Sequence, residues 1–570
     1  MTLTEPADRR LKVARAGWRV SGAGGFVAAA LVIALLVLLP VGSLIALAAR
    51  GSGDLWPHLL ANVLPVALRD TTILLLGTGV IVVAVGTGAA WLVTAFDFPG
   101  RRILDWALLL PLAVPTYIIA YAYLDILHPI GPVQSGLRAI FGIASPQGLH
   151  FPEIRSTAGA VFVFGFVLYP YVYLATRALF LMNAAGLFEA ARTLGAGQGG
   201  ILFRIALPLA RPAIAVGTSL ALMEALNDVG ASEFLGVRTL TVSIYSTWIN
   251  RSNLPGAAQI ALVMLAIVIA LVVVERLGRR RQRYATSGRP HRPAPKRLTG
   301  ANAGVAIFLG VLPVFLGFLV PAFYLLSEAL KRISRAGISA EIVAEARNTI
   351  VISAAATVVT VVLGLCVAYA ARLIRGPAGP ALLRTASLGY ALPGTVLAVG
   401  LLAPIAAFDN LLSDFLGDYF GVAAGLILSG SGIALGYAYV VRFLAISTGG
   451  LEAGLEKIPR SLDESARTLG HTPAATLARV HLPLVRPALG AVTLLVFVDC
   501  MKELPATLLL RPLNFETLAT HLYGEAARGT YEDGAIAALF IVLVGLLPVI
   551  LLARFSRAAN GAVARNGPPL

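Results

Sequence analysis

The chain has 570 residues and a formal net charge of +16, with 58% hydrophobic residues but only 13% charged ones; its mean hydropathy is +0.82. A soluble domain carries about 25% charged residues, so a water-facing globule is excluded for most of the chain. The alternating ~10-residue strands of a membrane barrel are absent from the sequence, whereas apolar runs longer than ~18 residues recur, as in spanning helices.

The first element is a basic segment with Arg9, Arg10, Lys12, Arg15 and Arg19. The apolar run after it lacks a small-residue cleavage site and reads as a retained first helix, not a signal peptide. Six spans are predicted in the first half: Phe26–Ala49, Thr71–Phe96, Ile103–Leu124, Thr157–Leu181, Leu207–Leu226 and Ala258–Glu275. A linker rich in Arg, Pro and Gly occupies 278–300 and reads as a flexible connector. Six more spans follow: Val305–Leu326, Thr349–Arg372, Ala381–Ala403, Phe420–Ile446, Leu484–Val498 and Gly534–Ala553. Residues 1–277 thus form a first repeat and 301–570 a second.

The positive charge marks topology rather than nucleic-acid binding. With both termini in the cytoplasm, the inward loops carry Arg101/Arg102, Arg192/Arg204, the linker, Arg372/Arg375 and Arg467/Arg479, as the positive-inside rule requires. An even number of spans per half inserts both halves the same way up, so they are expected to be related by a pseudo-twofold along the membrane normal. Cys366 and Cys500 lie in apolar segments without metal-ligand spacing and read as packing residues.

One polar segment occurs twice. Residues 189–213 read EAARTLGAGQGGILFRIALPLARPA and residues 464–488 read ESARTLGHTPAATLARVHLPLVRPA, with 14 of 25 positions identical at an offset of 275. Each copy lies between the fourth and fifth spans of its half. Helix-compatible residues run up to Gly195 and Gly470, which suit a helix end. Thr472-Pro473 reads as an N-cap followed by proline at the first helical position. A second short helix then runs to His481, and Pro483 opens the next span. The predicted shape is a helix–turn–helix elbow.

Glu-Ala-Ala, Gly six residues after the Glu and a closing Leu-Pro resemble the EAA loop of ABC importer permeases. The resemblance implies that the elbow carries a coupling helix seated in a cleft of an ATPase subunit. The corresponding residues here are Glu189, Ala191, Gly195 and Pro208, with Glu464, Ala466, Gly470 and Pro483. Ser465 departs from the pattern where the second alanine is expected. No G-x-x-x-x-G-K-[ST] segment is present, so ATP and its Mg are expected in a partner. No catalytic residue and no cofactor of its own are expected for this chain. The implied partners are two copies of an ABC ATPase, a periplasmic substrate-binding protein and membrane lipid, in the bacterial inner membrane.

Ionisable groups near spans are functional candidates. Glu224, Asn227 and Asp228 end the fifth span, and Asp499, Lys502 and Glu503 end the eleventh. Glu224/Asp228 and Asp499/Glu503 are i, i+4 pairs, on one face if the helix continues that far. Four carboxylates around a pathway suit a hard cation, with Asp228 and Glu503 as possible metal ligands. The other reading places them in the outer interface, hydrated or paired, with Lys502 as partner.

Downstream, Thr239 and Tyr245 repeat as Thr517 and Tyr523 at a spacing of six. Pro115 and Pro393 sit in related segments, PLAVPTYIIAYAYLD and GYALPGTVLAVGLL, and read first as kinks. Together these segments are similar to the ferric-iron branch of binding-protein-dependent importers, which implies ferric iron as substrate. Permeases for thiamine, polyamine, phosphonate and sugar phosphate are close alternatives, and a secondary transporter is the distant one.

Overall fold

A computed structural model describes residues 23–183, 191–279, 295–374, 376–422 and 425–565. The basic segment ahead of the first span, most of the linker (280–294), Glu189 and Arg375 lie outside the described residues. Among the described residues the protein is helical, apart from a parallel strand pair that joins Phe96–Asp97 to Lys296–Arg297. Among the described residues, eleven helices are long and apolar enough to cross a membrane, or twelve if a bent pair counts as one span. The all-α polytopic fold is the one the sequence predicts.

The bent pair is the third span. Arg101–Ala113 and Thr116–Ile126 meet at 90°. Val114 at the corner is extended (φ −113°, ψ 121°), as is Leu392 (φ −84°, ψ 120°) at the equivalent point of the second half. Each precedes a proline, Pro115 or Pro393, whose ring disfavours helical backbone in the residue before it. These prolines start helices rather than kink them. The predicted ninth span is accordingly split into a short helix, Ala378–Ala386, and a span, Gly394–Phe420.

The predicted tenth span is displaced to Ile433–Glu456. Its expected first part contains Gly421 at φ +65°, a helix-ending conformation, together with Gly425, Gly430 and Gly432. The buried Asp409 holds that loop: its carboxylate accepts from the Leu428 and Ser429 backbone N–H groups at 2.7 and 2.8 Å.

Among the described residues, four π turns lie within long continuous helices, at Leu59–Val63, Leu202–Ala206, Phe315–Leu319 and Leu477–His481. Each ends two residues before a proline: Pro65, Pro208, Pro321 or Pro483. A proline inside a helix has no N–H to donate and crowds the carbonyl four residues back. Widening the preceding turn relieves that crowding while the helix continues.

The chain divides into two compact units that do not coincide with the sequence halves. One contains most of the first span together with Val351–Leu392 and Gly400–Cys500. Within it the Tyr437 hydroxyl donates to the Leu36 carbonyl at 2.7 Å, and Phe26 meets Tyr369 edge-on at 5.2 Å. A Cβ on Gly400 would collide with the Pro40 carbonyl, so glycine permits that helix crossing.

The other unit contains Leu44–Ile350, Pro393–Val399 and Met501–Leu570. There the Tyr123 hydroxyl donates to Leu316 O at 2.6 Å, and the Tyr324 hydroxyl donates to Asp125. Arg332 pairs with Asp533 at 2.5 Å. The first span of each sequence half therefore packs with the core of the other half.

Candidate functional site: two elbows and two capped helix breaks

The two polar copies fold alike. Gly195 (φ +81°) and Gly470 (φ +77°) adopt the left-handed conformation that favours glycine. The Ala196 N–H returns to Ala191 O at 2.9 Å, and the His471 N–H to Ala466 O at 3.0 Å. The Gly195 N–H reaches Arg192 O at 3.0 Å, and the Gly470 N–H reaches Arg467 O at 2.9 Å. These paired bonds close a helix C-terminus in a Schellman arrangement. Ala191 and Ala466 are buried beneath the turns, which explains the small residue at that position. Glu464 is exposed on the helix Arg460–Thr468.

Thr472 is the expected cap, its hydroxyl accepting from the Ala475 N–H at 3.2 Å, with Pro473 at the first helical position. The second arm differs from expectation. It runs without a break from Pro473 to Met501, and from Gln198 to Asn227 in the first copy. Pro208 and Pro483 therefore lie inside continuous helices, each behind its π turn. Directly before the two turn glycines, Leu194 and Leu469 are 87% and 77% exposed. Each elbow thus presents an apolar side chain at its tip.

The second elbow is fastened from below. Arg372, at the end of the span Ala340–Leu373, donates from Nε and Nη2 to Asp463 Oδ2 at 3.2 and 2.6 Å. It also donates to Ile458 O at 2.9 Å and Leu455 O at 2.5 Å. His481 Nε2 lies 3.0 Å from Asp463 Oδ1, and the Tyr369 hydroxyl donates to Pro473 O at 2.8 Å. A cavity of about 290 Å³ beside this cluster is bordered by Tyr369, Asp463, Arg467 and Gly470.

Sequence reasoning missed Asp463 and His481 and took Arg372 only as a topological charge. At the repeat offset of 275, Asp463 and His481 correspond to Phe188 and Ala206, so the repeat itself gave no signal. The first half uses another pair near its bent span. Arg177 holds both Asp105 oxygens at 2.5 and 2.6 Å, and the Tyr173 hydroxyl reaches Asp105 Oδ1 at 2.9 Å.

At the far ends of the elbow helices, Asp228 and Glu503 do matching work. The helix Leu207–Asn227 stops at Asp228, whose Oδ1 accepts from the Ala231 N–H at 2.9 Å and caps the short helix Val229–Phe234. Glu503 Oε1 accepts from the Ala506 N–H at 2.9 Å, and Oε2 accepts from the Thr507 N–H at 3.0 Å, at the start of Pro505–Leu510. The helices do not continue through these acids, so neither i, i+4 pair shares one helix face. A carboxylate that accepts orphan N–H groups favours a new helix start over continuation. Glu224 and Asp499 remain within the preceding helices.

Around these breaks, Asn227 Oδ1 accepts from the Gly394 N–H at 2.7 Å, and Tyr117 donates to Lys502 O at 3.4 Å. The bond from Asn227 satisfies a backbone donor exposed where Pro393 starts its helix.

Further along, Thr239 and Thr517 are N-caps, accepting from the Val242 and Thr520 N–H groups, each at 3.3 Å. Thr71 and Thr349 accept from the Leu240 and Leu518 N–H groups at 3.0 and 2.9 Å. The repeated Thr-Leu pair is therefore the same helix start built twice. No group of three or more His, Cys, Asp and Glu side chains able to hold a metal occurs among the described residues.

These features define a duplicated multi-span membrane permease with two matching polar elbows. The chain belongs to the family described as binding-protein-dependent transport system inner membrane component, whose model matches residues 57–283 and 360–561. The chain is therefore an inner-membrane permease of a binding-protein-dependent importer; membership implies a separate ATPase and a substrate-binding protein, and the family is not itself catalytic.

The chain is 24% identical over 495 residues to the Fe(3+)-transport system permease protein FbpB 2 of Haemophilus influenzae, covering 86% of this chain and 90% of that one. It is 24% identical over 463 residues to the ferric transport system permease protein FbpB of Actinobacillus pleuropneumoniae, 78% of this chain and 64% of that one. It is 33% identical over 197 residues to the molybdenum transport system permease protein ModB of Escherichia coli, 33% of this chain and 82% of that one.

Proposed function

We propose that this permease imports ferric iron, free or with a small chelating anion. Two copies of a separate ATPase, which bind the ATP and Mg, drive it through the two elbows. The observation that carries the coupling is the pair of identically closed elbows, each with a leucine at its tip. Ala191, Gly195, Pro208 and Glu464, Ala466, Gly470, Pro483 shape these elbows, and Leu194 and Leu469 enter the ATPase clefts. Glu189 is given the same role from the repeat, although it lies outside the described residues.

Both termini, the linker and the elbows face the cytoplasm in this reading. The capped breaks at Asp228 and Glu503, with Glu224 and Asp499, border the substrate pathway on the opposite side. A periplasmic binding protein delivers substrate there. Iron is favoured over molybdate because the likeness to the ferric permease FbpB 2 extends over most of the chain in one piece. The likeness to ModB covers a third of it.

The test is uptake of labelled iron(III) by cells lacking the chain and by the same cells with it restored. Competition with molybdate, a phosphonate, thiamine and a polyamine is measured in parallel. Restored iron uptake that none of these solutes reduces is expected. Restoration of molybdate uptake alone would move the assignment to oxyanions.

A further inference from the structure

Three oxygen-bearing side chains outside the elbows and the capped breaks meet between short helices. Glu233 comes from Val229–Phe234, Tyr245 from Leu240–Ile249 and Tyr523 from Leu518–Arg528. The Tyr523 hydroxyl donates to Glu233 Oε2 at 2.5 Å. The rings of Tyr245 and Tyr523 meet edge-on, 6.2 Å apart at 78°. Phe234 stacks on Tyr523 at 5.6 Å and fixes its ring.

The two tyrosines are equivalent positions of the repeat. Each lies six residues after its capping threonine, and each of those helix starts is held by Thr71 or Thr349. The duplication thus brings two phenols together beside one carboxylate. All three side chains are only half-buried, which leaves them reachable. The nearby cation Arg511 is engaged by Glu516.

We propose that Glu233, Tyr245 and Tyr523 form a docking site for a trivalent hard cation, ferric iron, beside the permeation pathway. This rests on the iron-importer reading. Hard cations of high charge take oxygen ligands. Two phenolates and a carboxylate supply three negative donors, which balance a charge of +3.

On binding, each phenol O–H bond breaks as its O–Fe bond forms, and the two protons pass to water. The oxidation state of iron does not change, and water or the accompanying chelator fills the remaining positions. Displacing two phenol protons favours a trivalent ion over calcium or magnesium.

The test uses the purified full-length chain titrated with iron(III) nitrilotriacetate. A phenolate-to-iron(III) charge-transfer band in the visible is expected, weakened in Tyr245→Phe and in Tyr523→Phe and lost in the double variant. Phenylalanine keeps the ring stack, and a melting curve on each variant checks the fold. Calcium in excess leaves the band unchanged. A wild-type chain without the band, or a folded double variant that keeps it, overturns the site. Iron uptake by the wild type is measured alongside: uptake without a band removes this site and leaves the importer reading standing, whereas neither uptake nor band removes both.

Discussion

Arg372 and Asp463 form an ion pair, 2.6 Å at its shortest, that ties the end of one span to the helix of the second elbow. Their side chains are only 10% and 12% exposed. Three further polar contacts hold the pair: the Leu455 and Ile458 carbonyls on Arg372, and His481 on Asp463. The pair fastens the helix of this elbow to the end of the span Ala340–Leu373. The first elbow has no such residues at the repeat positions, so the two elbows are alike in backbone and different in attachment.

Removing one partner of a buried pair strands the other and typically costs about 3–5 kcal/mol. Asp463→Leu should therefore lower the melting temperature of the detergent-solubilised protein sharply. Arg372→Leu combined with Asp463→Leu should recover much of that loss, since no buried charge is left unpaired. Wild-type melting of the single Asp463→Leu variant would show that the pair bears no load.

Gly195 and Gly470 test the elbows themselves. Valine at a left-handed position costs about 1–2 kcal/mol each, and neither site has atoms within 4 Å that a Cβ would strike. The expected effect is local. In the Gly195→Val, Gly470→Val double variant, uptake and substrate-stimulated ATP hydrolysis should fall while insertion into the membrane stays normal. Full activity would remove the elbows from the coupling mechanism.

Asp228 and Glu503 are helix caps as well as candidates for the pathway. Loss of a cap costs about 1 kcal/mol. Asp228→Asn keeps an oxygen for the Ala231 N–H and should melt close to wild type. Glu503→Gln keeps one acceptor for two N–H groups and should be the less stable of the two. The double variant is expected to lose iron uptake while still assembling with the ATPase, a result read by uptake and co-purification. Wild-type uptake by the folded double variant would assign these acids to capping alone.

Much of this organisation was legible in the sequence because it rests on patterns that repeat. The twelve apolar runs, the elbows, the turn glycines and the Thr472-Pro473 cap all follow from local residue chemistry. Legibility failed where a distant contact outweighs hydropathy. The apolar run from Phe420 is not a span, because glycines interrupt it and Asp409 pins the loop at Leu428 and Ser429. Pro115 and Pro393 turn the chain by way of an extended residue, a choice that hydropathy does not register. Asp228 and Glu503 looked like extensions of a helix face, and their capping role needs the backbone that follows them. Arg372–Asp463 was invisible because it occurs in one half only.

Topology can be tested with single cysteines. Ser287, in the linker, should be protected from an impermeant thiol reagent in intact cells when replaced by cysteine. Ser145, exposed in the loop after the third span, should be labelled from outside. The reverse pattern would invert every side assigned to the elbows and the capped breaks.

In the proposed function a separate ATPase drives this chain to carry iron. The direct measurement is iron(III) accumulation in proteoliposomes that contain the full chain, with its binding protein on one side and its ATPase on the other. ATP-dependent accumulation that requires all three components, and that stops when the ATPase is omitted, is the predicted result. Accumulation driven by an ion gradient without ATP or ATPase would contradict the account and establish a secondary transporter.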